Sequence, residues 1–525
     1  MKPKKLILVL AVFAALSPLR LMAQDDWRAV HDDCMPAPVD MPLRVGAVKK
    51  LPAVSTDWDA TRTYKQLVIL VSFIDEDFHR EDIKSIYETM FNETGYNEGV
   101  GPGCVADYFR DQSSGKLNIS FDVYGPYTVS QKSQPYEAPT SNTRNYGRES
   151  FVEATNKLIE EHPEIDFSQY DWNGDGYVNQ VVYVYAGVSG NLGSKTYGHI
   201  WPNTSTFTTI TTPDELKISN YTASGETFPT TSQRSAGIGT ICHEFSHSLG
   251  LPDIYPTSSS QGYSVCDEWD LMDGGNFTNY GWCPPNFTAL EKYLLGWVEF
   301  TELDEAASIT DLKPTADGGE VYRIKHSDSE WLLLENRQQK DWDLGAPGHG
   351  LVIYHVNYDG TVWRGNSVNN DKTKRRFHIV HADNMDYDAW KEYTSANGLN
   401  QYVNSERMNS RYLSTSPYPY VIDEEIYNDA LTDTSTPPAT MFYPNLDSDI
   451  LLGKPITNIR MNSEGLISFD FMGAVGINAP HSTLNAQPAV IYDLQGRRLE
   501  TPVHGNIYIM KHPDGTVSKR IYRNE

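Results

Sequence analysis

The sequence predicts an α+β N-terminal domain, followed by an all-β sandwich domain and a small C-terminal β domain, on three observations. Across residues 64–300, apolar strand-like runs alternate with amphipathic helical patterns. From about 301 to 475 the texture changes to short alternating runs separated by Gly, Asp and Asn turns, which is the pattern of a sandwich. After Asn478-Ala479-Pro480 a last group of short β runs forms a separate unit, 476–525. A chain of 525 residues would usually divide into two to four domains, and 39% hydrophobic content supports globular cores.

The chain opens on an address. Lys2, Lys4 and Lys5 precede the apolar run Leu6 to Leu16, and Leu21-Met22-Ala23 ends in a small residue, so 1–23 reads as a secretory signal peptide. The run is shorter than the roughly 20 residues a membrane span needs, and Arg20 interrupts it. Residues 24–63 have no clear period and read as a pro-segment or N-terminal arm. Leu67 to Phe73 is a central strand by pattern, Glu81 to Phe91 and Cys104 to Gln112 read as helices, and Leu117 to Tyr124 alternates as a strand ended by Gly125-Pro126. A longer helix is expected over Arg148 to Glu161 and a strand over Tyr177 to Ala186. Between them, Asp171-Trp172-Asn173-Gly174-Asp175-Gly176-Tyr177-Val178-Asn179 resembles the start of an EF-hand loop. Asp171, Asn173, Asp175 and Asn179 are therefore candidate calcium ligands, although Val182 stands where the loop's bidentate Glu belongs.

The chemistry concentrates at Thr240 to Asp253, which reads H-E-x-x-H-x-x-G-x-x-D from His243. Positions four apart share one face of a helix, so His243 and His247 can offer two imidazole nitrogens to one zinc ion. Glu244 beside them is placed to take a proton from the attacking water as general base. Gly250 can end the helix and Pro252 prevents its resumption, so the chain bends back and Asp253 can supply the third ligand. Three protein ligands with an open fourth position describe a catalytic zinc. A bare H-E-x-x-H arises by chance in roughly one such sequence in fifty; the added Gly and acid lower that by a factor of a few hundred.

This stretch is similar to the metzincin pattern with aspartate as third ligand, and Trp269-Asp270-Leu271-Met272-Asp273-Gly274-Gly275 resembles a methionine turn. The chain resembles the immune inhibitor A family in H-E-F-x-H-x-L-G-L-P-D at His243 to Asp253, W-D-L-M at Trp269 to Met272 and E-K-Y-x-L-G-W at Glu291 to Trp297. Further matches are Asp107-Tyr108-Phe109 with Ser114-Gly115-Lys116, Glu335-Asn336-Arg337-Gln338, and Pro347 to Val356. The resemblance runs over roughly 65–475. It implies a metzincin-like zincin catalytic domain at 64–300, a secreted zinc endopeptidase acting on protein or peptide substrates, and Met272 as a floor beneath the metal. By the same analogy Arg148 to Glu161 is a backing helix, and an edge strand before the active-site helix pairs with substrate. Cys34 is a candidate for latency by occupying the fourth zinc position.

The remaining signals are weaker. Tyr255 and Tyr280 are near enough in sequence to help stabilise an oxyanion. Pro285 to Trp297 reads as a helix started by Asn286, and Glu291 on it is the rival third ligand to Asp253. His349 and His355 are expected to serve as hydrogen-bonded interface residues. Of the cysteines Cys34, Cys104, Cys242, Cys266 and Cys283, a Cys266–Cys283 disulfide would close a short loop under the metal, and Cys242 reads as a buried apolar residue. With 43 Lys plus Arg against 69 Asp plus Glu, a formal charge of -26 argues against nucleic acid or anionic membranes as partners. The tail, through Ile491 to Arg498, Gly505 to Ile509 and Asp514-Gly515, looks like a type IX secretion sorting domain, implying secretion machinery as a partner and either release or surface attachment. The alternative reading is a surface protein, inactive or of narrow specificity, that binds glycan or protein through its sandwich.

Overall fold

The structure, a computed structural model, describes residues 56–473 except 97, 99–100, 134–146, 191–198, 228–234, 259–264, 397–412 and 443–449, and beyond them only strands between 490 and 521. The expected signal peptide, most of the pro-segment and Cys34 lie outside the described residues. Residues up to Gly473 form one compact unit and 474–525 another.

The first sheet explains the unbroken apolar run at Leu67. Strand β1 (Thr63–Phe73) lies between β2 (Asn118–Val129) and β3 (Val181–Val188), in the order β2-β1-β3-β5-β4 with β4 Asn203–Thr211 and β5 Lys217–Thr227. β1, β2, β3 and β5 are parallel and β4 runs antiparallel along the edge. Both faces are covered, so alternation is lost. Val68 and Leu70 enter a core with helices α1 (Ile83–Asn92) and α2 (Val105–Gln112), while Leu67, Ile69 and Val71 face α3 (Arg148–Glu161) through Phe151, Ala154 and Leu158. The strand next to the active-site helix in sequence is the internal β5; the edge is β4.

Four expectations need correction. Strand β2 does not end at Gly125-Pro126. It absorbs Gly125 at φ 92° as an irregularity, the register with β1 shifting between Ile69 and Val71, and continues to Val129. The strand expected over Tyr177 to Ala186 is displaced to Val181–Val188, because Val178 bonds instead to Lys217 O. The helix after the methionine turn is α5, Ala289–Leu294, shorter than expected and capped by Thr288 in a capping box with Glu291; Asn286 instead packs against Gln112 and Asp343. The expected disulfide is absent: Cys266 and Cys283 are free and buried, as are Cys104 and Cys242. The turn is held without a bridge, by Asp273 Oδ2 accepting the N–H groups of Cys266 and Asp267 at 2.9 and 2.8 Å. The Cys283 thiol is directed at Trp342 O at 3.5 Å.

Downstream, β6 (Phe300–Glu302), β8 (Val321–Lys325), β9 (Glu330–Arg337), β10 (Gly350–Asn357) and β11 (Phe377–Ile379) form a second sheet, ordered β11-β10-β9-β8-β6. A third, β14-β15-β7, comprises β7 (Ala307–Leu312), β14 (Ile456–Met461) and β15 (Ile467–Phe471). One face of the second sheet shares a core with the third through Ile324, Leu334, Ile353, Ile459 and Phe469. Its other face, through Leu333, Val352 and Tyr354, joins the core around Phe245 and Trp269, so apolar packing runs across the expected boundary near residue 300. Short helices α6 (Gly360–Arg364) and α7 (Tyr387–Ala396) and a hairpin of β12 (Tyr420–Ile422) and β13 (Glu425–Asn428) complete this unit. In the tail, β16 (Val490–Tyr492), β17 (Arg498–Leu499), β18 (Ile507–Lys511) and β19 (Val517–Ile521) form a sheet ordered β17-β16-β18-β19.

Candidate metal centre

The central helix, α4 (Gly239–Ser248), begins where a side chain has no room. A Cβ on Gly239 would lie 2.0 Å from Asn276 O, so glycine lets the helix start pack against the segment after the methionine turn. Ile241, Cys242 and Phe245 anchor its buried face. It ends in a Schellman arrangement: Gly250 N–H donates to His247 O at 3.0 Å and Leu251 N–H to Ser246 O at 3.1 Å, with Gly250 at φ 102°. That turn returns Asp253 to the helix.

His243, His247 and Asp253 are all buried, and one donor atom from each lies within 4.8 Å of the others; among the described residues no other trio of metal-binding side chains does so. The imidazole rings stand 4.9 Å apart at 84°. His243 Nδ1 is 2.8 Å from Leu271 O and His247 Nδ1 2.7 Å from Leu251 O, contacts in which a carbonyl can only accept. Each imidazole thus donates through Nδ1–H and turns Nε2 toward Asp253. Asp253 Oδ1 sits 3.2 Å from both Nε2 atoms, yet this buried oxygen has no hydrogen bond of acceptable geometry. One cation between the three would satisfy all of them, so the residues present fit a metal ion.

The electrostatics agree. Burial would push the Asp253 carboxyl up, but the two imidazoles hold it well below the usual carboxylate range. Burial opposes charge on His247, and Asp253 outweighs it, raising the imidazole to about 9. The site is built to hold positive charge, which an ion supplies in place of a proton.

Glu244, 8% exposed, lies on the same helix. Burial raises its carboxyl above the usual range. The Thr204 hydroxyl from edge strand β4 is 2.5 Å from Glu244 O and 3.1 Å from Oε2, tying the edge strand to this side chain. Met272 is fully buried; its N–H donates to Asp270 Oδ1 at 2.7 Å and its carbonyl accepts the Ile254 N–H at 2.8 Å. The methionine turn therefore braces both His243 and the Asp253 loop.

Other predicted residues fall elsewhere. The Tyr255 ring stacks 6.3 Å from that of His243, whereas Tyr280, 2% exposed, is enclosed in the core. Glu291 belongs to the Thr288 cap and faces Asp270. His355 pairs with Glu330 at 2.8 Å, and His349 is exposed beside Gln339. In the 171–179 loop, Asp171 accepts N–H groups from Gly174, Asp175 and Gly176, Asp175 accepts from Tyr177 and Asn179 from Trp172. Its Asn173 donates to Asp175 at 3.0 Å. Thr204 and Asn366, which touch the site, carry no spacing signal in the sequence, whereas Asp270 stands inside the Trp269 to Met272 match.

A helix carrying H-E-x-x-H beside a mostly parallel sheet, with a carboxylate returned by a glycine turn, brings three metal-binding side chains together next to a further buried carboxylate. Residues 54–295 match the family described as Immune inhibitor A peptidase M6, catalytic domain, a segment that makes up less than half of the chain. It is 26% identical over 393 residues to Immune inhibitor A of Bacillus thuringiensis subsp. alesti, covering 65% of this chain and 55% of that protein. It is 23% identical over 304 residues to the Pre-pro-metalloprotease PrtV of Vibrio cholerae serotype O1, covering 51% of this chain and 32% of that protein. The chain thus spans about half and about a third of these curated relatives. No helix among the described residues is long and apolar enough to cross a membrane.

Proposed function

We propose that this chain is a secreted zinc-dependent endopeptidase that hydrolyses peptide bonds of extracellular proteins. The observation that carries this is the unsatisfied Asp253 Oδ1 facing two Nε2 atoms, with Glu244 on the same helix. When bound, zinc supplies a Lewis acid that acidifies water and polarises a carbonyl. Glu244 takes the proton of the attacking water and returns it to the leaving nitrogen, and burial keeps its carboxyl basic enough for that transfer. Thr204 steers the Glu244 carboxylate, Met272 forms the floor, and Tyr255 flanks the site as the better placed of the two tyrosines for an oxyanion. The names of the relatives, a metalloprotease among them, support peptide hydrolysis, and "pre-pro" in one supports the expected leader and pro-segment.

The test is casein hydrolysis by zinc-loaded chain freed of its pro-segment, beside Glu244→Ala prepared identically. Activity in the parent that vanishes in the variant while both keep zinc supports the reading. Two folded, zinc-bound proteins that both fail to cut overturn it and leave the surface-binding alternative.

Two finer assignments join this proposal. The 171–179 loop, curled by three N–H donors around Asp171, holds a structural calcium ion. A melting temperature that does not respond to calcium, or responds equally in Asp175→Ala, removes it. The 474–525 unit, compact by itself, serves as a type IX sorting module, so deleting it should block export.

A further inference from the structure

The loop that returns Asp253 is gripped from far along the chain. Helix α6 closes at Gly365 and the backbone turns through Asn366 at φ 50°, a left-handed conformation that asparagine tolerates better than most side chains. The Asn366 amide makes two bonds to one residue. Its Nδ2 donates to Asp253 Oδ2 at 2.7 Å, and its Oδ1 accepts the Asp253 N–H at 2.7 Å. Nearby bonds hold the same two segments together: the Thr257 hydroxyl donates to Asn366 O at 2.8 Å, Asn369 Nδ2 to Ile254 O at 2.8 Å, and the Ser258 N–H to Asn370 Oδ1 at 2.9 Å.

The two oxygens of Asp253 therefore have different fates. Oδ2 is taken by the amide, while Oδ1 faces both imidazoles and has no hydrogen-bond partner. A carboxylate can bind a cation through one oxygen or through both, and with both it would fill the place that water needs. We infer that Asn366 is a positioning residue that makes Asp253 a one-oxygen ligand and keeps the remaining coordination position open. This rests on the reading that the cluster holds a metal ion. An asparagine suits the task because its amide donates to the carboxylate and accepts the backbone N–H at once; an aspartate there could not donate when ionised.

The test compares the full chain with Asn366→Gly, Asn366→Asp and Thr257→Val, each stripped of metal and reloaded with Zn²⁺ or Co²⁺. Glycine accepts the backbone conformation and aspartate keeps the volume, so if one fails to fold the other decides. Zinc affinity, read by competition with a chelator, should fall roughly 10–100-fold in both Asn366 variants, the usual worth of a group that orients a ligand. The visible Co²⁺ absorption should shift as the second carboxylate oxygen takes the place of water on the ion. Thr257→Val, which loses the bond to Asn366 O but leaves the amide pair, should stay within about threefold of the parent. Folded Asn366 variants with parental affinity and spectrum overturn the inference, as does an equal loss in Thr257→Val, which would assign the effect to the loop as a whole. A parent that takes up neither ion overturns the metal reading and this inference with it.

Discussion

Two groups of buried acids lie close to the methionine turn, and they have opposite electrical fates. Asp253, 5% exposed, faces two imidazoles and is held as a carboxylate. Asp270, fully buried, and Glu291, 2% exposed, face each other. Their Asp270 Oδ2 and Glu291 Oε1 atoms are buried without a hydrogen-bond donor, a setting that favours keeping a proton on the pair. Burial, then the Glu291 charge, raises Asp270 well above the carboxylate range, and burial raises Glu291 to about 7. Burial is common to both; the neighbour decides. One arrangement favours the carboxylate, and the other favours the protonated acid.

Amide substitution should break that symmetry. Asp253→Asn removes the negative ligand, so zinc affinity should fall by more than the roughly 100-fold that an orienting group is worth, and casein hydrolysis should vanish at limiting zinc. Glu291→Gln replaces a proton on that pair with an amide hydrogen and should leave both properties within a small factor. Equal losses in the two variants would erase the distinction between the sites.

Chelation sharpens it in stability. An ion bound only by the folded chain stabilises it by about 4 kcal/mol at a thousandfold excess over Kd. The melting temperature of the parent and of Glu291→Gln should therefore drop on metal removal, and that of Asp253→Asn should hardly move. A smaller effect separates two substitutions at one site. Glu291→Ala leaves the Thr288 N–H without its carboxylate partner and should cost about 1–3 kcal/mol in denaturant unfolding, whereas Glu291→Gln should cost less.

The smallest effect is in pH. Glu291 is protonated in the fold up to about 7 but, from its ordinary value of 4.5, largely ionised in the unfolded chain above that. The folded state binds more protons between these values, so this contribution is full below 4.5, declines as pH rises and levels off above about 7. Glu291→Gln should flatten the fall in stability over that interval relative to the parent. A parent and variant with parallel curves would mean that Glu291 takes up no proton on folding over that interval.

The candidate metal cluster was legible because its geometry is local. His243 and His247 sit one helical turn apart, and Gly250 and Pro252 mark the bend that returns Asp253. Strand β1 and helix α3 were likewise legible from apolar runs. Long-range partners were not: Asn366 reaches Asp253 across 113 residues, and an asparagine in a turn has no periodicity to betray it. Glu291 read as a rival ligand because a sequence shows acid and position but not the carboxyl opposite. The cysteines misled for a related reason, since spacing suggested a bridge where buried thiols and the Asp273 carboxylate do the bracing.

The 113-residue reach of Asn366 also has a meaning in time. A chain that emerges N-terminus first presents both histidines and Asp253 well before the asparagine that aims the carboxylate. Four strands of the second sheet, β6, β8, β9 and β10, also precede that asparagine in the chain. During synthesis, the order of residues itself therefore places the asparagine that holds Asp253 after every member of the cluster.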